Sequence, residues 1–166
     1  MQNPPKKLAL IGTFIRDRIV PLHGPEIQCL GGLYHSIAYA ALLGGAQWHI
    51  VPHARVGSDS IDTGRQALAG FDTVDLSQLV VSSHKNTTVQ LVYKTATSRD
   101  EITSTLMRPL HIDELHACLA ADGILVNLIT GSDLALEALQ QLASRTKVPI
   151  YLDFHSLALG IDAHGK

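Results

Sequence analysis

A pair of adjacent glycines ahead of a helical stretch is the feature that most constrains this fold. Residues 31–45 read GGLYHSIAYAALLGG. Two glycines can take positive φ and lie against a neighbour without a Cβ in between. Apolar side chains then recur at the three-to-four spacing of a helix with one buried stripe: Leu33, Ile37, Ala40 and Ala41. A second glycine pair is a typical helix stop, so the unpaired N–H groups of a helix N-terminus face whatever lies beside the first pair.

Two further segments flank this helix. Upstream, residues 8–12 (LALIG) predict a strand buried on both faces of a parallel sheet, and Asp17 follows shortly after it. Downstream, residues 56–59 (VGSD) form a polar turn ahead of a helix predicted over 61–68. The glycine pair alone is equally compatible with a tight turn that binds nothing. The flanking segments favour a binding site.

Together these segments resemble the first half of the PfkB, or ribokinase-like, family of sugar and nucleoside kinases. The matching positions are Gly12, Asp17, Gly31, Gly32, Ala38, Gly45, Val56, Gly57 and Asp59. The resemblance spans essentially the whole chain, but only as an N-terminal portion of the family. It implies an α/β, three-layer sandwich in which the central, mainly parallel sheet is incomplete. It also implies one domain over residues 1–166, with a small β-hairpin lid over about residues 16–30.

The resemblance implies a substrate-binding role for four residues: Asp17, Gly31, Gly32 and Ser36. The Asp17 carboxylate would accept hydrogen bonds from two hydroxyls of a sugar, and the glycines would let the substrate approach the backbone. Ser36 stands where the family has an amide, and a hydroxyl has fewer donors and a shorter reach. Three more positions lack the polar or acidic residues of sugar-binding members: Ile15, Asn127 and Ile129. Ribose is therefore not the expected substrate.

The resemblance also implies ATP-dependent phosphoryl transfer to a hydroxyl, in which Mg²⁺ and backbone N–H donors stabilise charge. The G-A-G-D segment of the family, which supplies its catalytic Asp and anion hole, comes after Lys166. ATP and Mg²⁺ are therefore expected for the complete enzyme and not for this chain alone, which should be inactive. No catalytic residue is assigned. The alternative is a non-catalytic small-molecule-binding or assembly module that retains a degenerate kinase scaffold.

Other site types fit the sequence poorly. Nine histidines suggest a metal, but His49 and His53 flank a predicted strand. His111 and His116 are five residues apart and lie off a common helical face. No metal site is therefore expected. The first strand is not followed by G-x-G-x-x-G, and no G-x-x-x-x-G-K-[ST] occurs, so neither a Rossmann nor a P-loop site is predicted.

Composition indicates an ordinary globular domain and excludes several partners. The chain has 166 residues, 46% of them hydrophobic and 17% charged, which suffices for one core. A net charge of −2 with scattered basic residues makes nucleic acid and anionic membrane unexpected partners. Cys29 and Cys118 form no C-x-x-C, so neither a disulfide framework nor zinc is indicated. With no signal-peptide pattern or membrane-length apolar run, the expected location is the cytoplasm.

The remaining elements follow from periodicity. Strands are predicted over 48–51, 87–95, 101–106, 123–128 and 148–153, and helices over 112–120 and 132–144. The last third alternates helix and strand, which indicates βαβ units and parallel pairing. The final strand brings Asp153 and His155 to an edge where such sheets bind ligands, although on opposite sides of the strand. The lid and the open sheet edge are the two candidate surfaces for a homodimer, and the isolated chain is expected to dimerise, aggregate or be partly molten.

Overall fold

The computed structural model describes residues 4–154. Within them the strands are β1 (Lys6–Ile11), β2 (Phe14–Val20), β3 (Ile27–Gly32), β4 (Trp48–Gly57), β5 (Leu79–Ser82), β6 (Thr88–Tyr93), β7 (Arg99–Ser104), β8 (Gly123–Asn127) and β9 (Ile150–Asp153). The α-helices are α1 (Leu33–Gly44), α2 (Ile61–Leu68) and α3 (Leu136–Arg145). His155 of the predicted strand-end pair lies outside the described residues.

The central sheet has five parallel strands in the order β5-β4-β1-β8-β9. The chain first builds outward from β1 to β4 and β5, then crosses to the other side of β1 for β8 and β9. The strand order therefore reverses beside β1. In open α/β sheets, ligands bind at the carboxyl ends of the strands at such a switch point.

Helical layers cover both faces of this sheet, which confirms the predicted α/β sandwich. One face packs on α1 and α2 through the buried residues Leu10, Phe14, Leu33, Ile37, Ala41, Ile50, Ala54, Val56, Ile61 and Leu68. The other face packs on α3 and the segment before β8 through Ala9, Ile11, Leu110, Leu115, Cys118, Ala121, Ile124, Val126, Leu128, Leu134, Ala138 and Leu142. The stripe predicted for α1 is the stripe that faces the sheet.

A second sheet of four strands, in the order β3-β2-β6-β7, forms the lid. The antiparallel β2–β3 pair is the hairpin predicted over residues 16–30, and β6–β7 is the antiparallel pair predicted around residues 87–106. Parallel pairing of β2 with β6 joins the two hairpins, starting at Arg16 and Thr88. The lid therefore has four strands, whereas the predicted hairpin has two.

The helix predicted over residues 112–120 is wrong. Two 3₁₀ turns, Ile112–Glu114 and His116–Ala120, take its place. Arg55 of β4 is buried and reaches across this segment, where it donates to the Arg108 carbonyl at 3.2 Å and pairs with the Glu114 carboxylate. These long-range bonds attach the segment to β4.

The start of the helix predicted over 132–144 is also wrong, because α3 begins only at Leu136. Leu134 forms a parallel bridge with Leu110, which requires extended backbone at that point. Before it, Gly131 has a φ of 75° and the Asp133 carboxylate accepts from the Thr130 N–H at 2.8 Å. The residues from 130 to 134 are therefore a turn and an extended link.

Strand β4 is longer than the predicted 48–51 and continues through Pro52 to Gly57. The backbone N–H and C=O of Ile50 bond to residues 73 and 75, on the side away from β1. Pro52 directs its backbone to that same side, and β5 begins to pair only at Ala54. No neighbouring strand needs the missing N–H, so the proline is tolerated inside the strand. Strand β5 itself was not predicted.

Candidate functional site

The carboxyl ends of β1 and β8, the start of α1 and the lid meet at one place. Gly12 follows β1, and a Cβ added to it would lie 2.7 Å from the Asn127 carbonyl at the end of β8. The Leu33 N–H donates to the Thr13 carbonyl at 3.0 Å. The chain that leaves β1 thus lies close against the end of β8 and is hydrogen-bonded to the start of α1.

Gly31 and Gly32 are each required for a different steric reason. Gly32 is the N-cap of α1 and has a φ of 60°, and an added Cβ would lie 2.5 Å from the Thr13 carbonyl. Gly31 stands opposite Ile15 in the lid, and an added Cβ would overlap the Asp17 carboxylate. The structure therefore brings together two of the four predicted site residues, Asp17 and Gly31.

Asp17 lies half-buried on the lid strand β2, close enough to the start of α1 for a charge interaction with His35. Burial is the main cause that raises the pKa of its carboxyl group above the ordinary value. His35 and Arg99 oppose this rise in part, and Glu101 adds to it. Arg99 is itself held by Glu101 at 2.6 Å. The Asp17 carboxylate is thus an acceptor in a partly dry setting, where a hydrogen bond to an ionised group is strong.

Ser36 is bonded to a residue that was not assigned to the site. The Asn127 side chain donates its Nδ2–H to Ser36 Oγ at 2.7 Å and is only 7% exposed. Its Oδ1 is buried and has no hydrogen-bond partner within residues 4–154. Asn127 therefore places an amide side chain next to Ser36, where the family has an amide at position 36 itself. Its Oδ1 is free to accept a hydrogen bond from a ligand.

A buried acid lies on the other side of the end of β1. Asp133 is 2% exposed, contacts the Thr13 hydroxyl and accepts from the Thr130 N–H. Burial raises the pKa of its carboxyl group. Its Oδ1 has no hydrogen-bond partner in the described part of the chain. Sequence analysis missed this residue, and the signal that marks it is a Gly-Ser-Asp turn just after a buried strand.

The predicted turn at residues 56–59 joins the lid to the sheet. Asp59 accepts from the Asn86 N–H at 2.8 Å through Oδ1 and from Arg16 at 3.2 Å through Oδ2. Asn86 is 1% exposed; its Oδ1 accepts from the Gly57 N–H at 2.9 Å and its Nδ2 donates to the Phe14 carbonyl at 2.8 Å. We call these contacts the lid-base network. Asn86 precedes β6, and no local pattern marked it.

Metal clusters and membrane-spanning helices are both absent from the part of the chain that the structure describes. Residues 4–154 contain no group of three or more His, Cys, Asp or Glu side chains that could hold a metal ion. Over the same residues, no helix is both long enough and apolar enough to cross a membrane.

No protein-family model and no curated protein matches this sequence. Solved structures do match its fold. A pyrophosphate-dependent kinase in the ribokinase family, in complex with sulfate, is 14% identical with a TM-score of 0.72, over 90% of this chain and 50% of that chain. A fructokinase from Xylella fastidiosa is 18% identical with a TM-score of 0.66, over 89% and 50%. An uncharacterized sugar kinase from Pyrococcus horikoshii is 14% identical with a TM-score of 0.66, over 87% and 52%.

The chain thus spans about half the length of the solved structures that it matches. At identities this low, the similarity shows a shared fold and does not show a shared substrate. They bear out the predicted resemblance at the level of architecture: this chain has the fold of an N-terminal portion of the ribokinase-like kinases.

Proposed function

We propose that this chain is the substrate-binding part of a kinase that transfers a phosphoryl group to a hydroxyl of a sugar or nucleoside. The observation that carries the proposal is the position of Asp17. Its carboxylate lies half-buried where the lid meets the start of α1, and Gly31 leaves room for it. A carboxylate in that position can accept hydrogen bonds from substrate hydroxyls.

The chemistry of the other groups supports the same class of substrate. Asn127 Oδ1 is a buried acceptor, so the site offers acceptors to a ligand that is rich in donors, as polyols are. A lid over the cleft would exclude water from the transfer, which protects the phosphoryl group from hydrolysis. Substrate-binding roles for Gly31, Gly32 and Ser36 belong to this proposal as well.

The phosphoryl donor is proposed from the neighbours alone. The fructokinase and the Pyrococcus sugar kinase have been solved with ATP, and the pyrophosphate-dependent kinase with a pyrophosphate analog and myo-inositol. ATP with Mg²⁺ is the donor that we propose for the complete enzyme, and pyrophosphate is the alternative. The residues described do not provide a metal-binding group, so no step through Mg²⁺ is assigned to them. We also propose a cytoplasmic location for the complete enzyme, because the cysteine pattern of the sequence fits a reducing compartment.

Asp17→Asn is expected to weaken substrate binding at least about tenfold. The reason is that a hydrogen bond to a charged group contributes roughly 1.5–3 kcal/mol. Calorimetry on the 166-residue chain with fructose, myo-inositol and adenosine as probes would measure it. Asp100→Asn is the matched control, because Asp100 lies on the opposite face of the lid and pairs with Lys94. Equal affinities for wild type and Asp17→Asn would remove Asp17 from the site.

A non-catalytic binding or assembly module is the second candidate. The observation that favours it is that Ser36 already bonds to Asn127, while Ile15, buried at 2% exposure, offers no polar group. A chain that binds none of the three probes would favour this assembly role over the kinase.

The chain alone is expected not to bind ATP at micromolar concentrations, with or without Mg²⁺. Phosphates are usually held by a glycine-rich loop or a helix N-terminus with free N–H groups, and the first N–H of α1 is already taken by Thr13. Titration calorimetry with ATP and MgCl₂ would test this. A micromolar dissociation constant would show that the chain holds donor-side groups as well.

A further inference from the structure

His35 is an exposed side chain in the first turn of α1, beside the proposed substrate site. Gly31 and Gly32 end β3 and lead directly into this helix, and the Asp17 carboxylate lies against Gly31. His35 follows Gly31 by four residues and is close enough to Asp17 for a charge interaction. The imidazole and the carboxylate therefore belong to the same corner of the site.

The direction of the His35 side chain agrees with this placement. Leu33 and Ile37 turn the buried stripe of α1 to the sheet, and Ser36 bonds to Asn127 at the end of β8. His35 lies on neither of these sides and is exposed. Side chains on a helix lean toward its N-terminus, which here is the end where the Asp17 carboxylate lies.

His35 is also the group beside Asp17 that has no polar partner of its own. Three side chains act on the Asp17 carboxylate through their charge: His35, Glu101 and Arg99. Arg99 and Glu101 hold each other at 2.6 Å. His35 meets the Tyr34 ring edge-on, with ring centroids 5.5 Å apart, and has no hydrogen bond or ion pair within residues 4–154. Its ring nitrogens are therefore available to a ligand.

An imidazole supplies the hydrogen-bond donor that a carboxylate lacks. A carboxylate only accepts, whereas a neutral imidazole has one N–H donor and one acceptor. A hydroxyl that donates its proton to Asp17 still has lone pairs on its oxygen, and an imidazole N–H can donate to them. With ordinary hydrogen bonds on both sides, one hydroxyl spans about 5 Å between the ring nitrogen and the carboxylate oxygen. Such a span suits two groups that interact by charge and share no direct bond.

We propose that His35 is a further substrate-binding residue, and that His35 and Asp17 bind the same hydroxyl of the substrate. This hydroxyl donates to the carboxylate and accepts from the imidazole. The contact belongs to the site of the proposed function and rests on it. Its consequence is specificity at one position of the substrate. A carbonyl or an ether oxygen there could not donate to Asp17, and a hydrogen would leave both side chains without a partner.

Calorimetry on the 166-residue chain tests the contact, with fructose, myo-inositol and adenosine as probes. For a probe that the wild type binds, His35→Ala is expected to raise the dissociation constant about three- to tenfold, which corresponds to one ordinary hydrogen bond. His35→Gln keeps an N–H donor and should recover part of the loss. His116→Ala is the matched control, because His116 is an exposed histidine beside Asp113, in the segment that packs on the other face of the sheet. Near-ultraviolet circular dichroism would verify that the variants fold.

A double-mutant cycle tests whether the hydroxyl is shared. If Asp17 and His35 bind the same hydroxyl, the loss of either partner weakens the contact with the other, so their effects should not be additive. The loss of affinity in the variant that combines Asp17→Asn with His35→Ala is expected to be at least about threefold smaller than the product of the two single losses.

The possible results distinguish this contact from the proposed function. Affinity that falls with Asp17→Asn and is unchanged with His35→Ala would overturn the role of His35 and leave that of Asp17. Additive losses would overturn the shared hydroxyl, and equal losses with His35→Ala and His116→Ala would show that the effect is not local to the site. A chain that binds none of the three probes would overturn the proposed function and this contact together.

Discussion

His53 alone is expected to lower the free energy of unfolding by about 3 kcal/mol between pH 6.5 and pH 4, because it has to stay neutral in the fold. His53 is 1% exposed on β4, and neither ring nitrogen has a hydrogen-bond partner among residues 4–154. Burial lowers its pKa from 6.5 to about 4, and the nearby Glu114 backbone and Asp75 charge oppose this only in part. One pKa unit corresponds to about 1.4 kcal/mol.

The sign follows from the two states. The unfolded chain takes up a proton on this imidazole as the pH drops below about 6.5, and the folded chain does so only near pH 4. Stability is therefore fully present above pH 6.5 and is lost as the pH falls through that window. Asp17 and Asp133 act in the opposite direction, because their raised pKa values let the folded state bind protons first.

Comparison with His53→Leu isolates the histidine. Leucine cannot be protonated, and the substitution removes no bond that meets ordinary hydrogen-bond geometry among residues 4–154. Urea unfolding at several pH values should give a steeper decline between pH 6.5 and pH 4 for the wild type than for the variant. Parallel curves would mean that His53 is protonated in the fold or reaches water.

Asn86→Ala is expected to lower the free energy of unfolding by about 3 kcal/mol or more. The side chain bonds to the Gly57 N–H and to the carbonyls of Phe14 and Thr87 in the lid-base network, and the Thr87 carbonyl also accepts from the Arg16 N–H, so the substitution removes partners chiefly from Gly57 and Phe14. A buried polar group that loses its partner costs roughly 1–3 kcal/mol. The lid strands would lose one of their attachments to the sheet, so hydrogen exchange should rise across β2 and β6.

Urea unfolding and hydrogen exchange would measure both effects. Gln28→Ala is the control, because Gln28 is an exposed amide on β3 whose side chain hydrogen-bonds to the exposed region of the lid, at Glu26. A loss below about 1 kcal/mol, the worth of one ordinary hydrogen bond, together with unchanged exchange in the lid, would show that the network is dispensable.

Sequence periodicity was sufficient for the elements that depend on local pattern. Helix α2 has the predicted bounds, and the stripe of α1 faces the core as expected. The errors lie where distant residues decide. Arg55 holds the segment around Glu114 in 3₁₀ turns, and the bridge between Leu110 and Leu134 delays α3. Neither contact can be recognised from the spacing of apolar residues in the local sequence.

In the candidate site too, the sequence predicted the residues that belong to a local motif and missed those that distant contacts bring in. The glycine pair and Asp17 could be found because a known pattern contains them, and the structure adds the steric reason for Gly31. The bond between Ser36 and Asn127 joins residues 91 positions apart, which no motif contains. The substrate-binding roles of Asp17, Gly31, Gly32 and Ser36 stay predictions until a ligand is measured.

The parallel joint between β2 and β6 has a consequence for synthesis on the ribosome. Arg16 pairs with Thr88, roughly 70 residues later in the chain. At about 5–20 residues per second, the β2–β3 hairpin waits for several seconds before β6 emerges. An isolated hairpin is marginally stable, and the unpaired edge of β2 is open to wrong partners during that time. The nascent lid is therefore exposed to wrong pairing until β6 is made, and slower translation between β3 and β6 would lengthen that exposure.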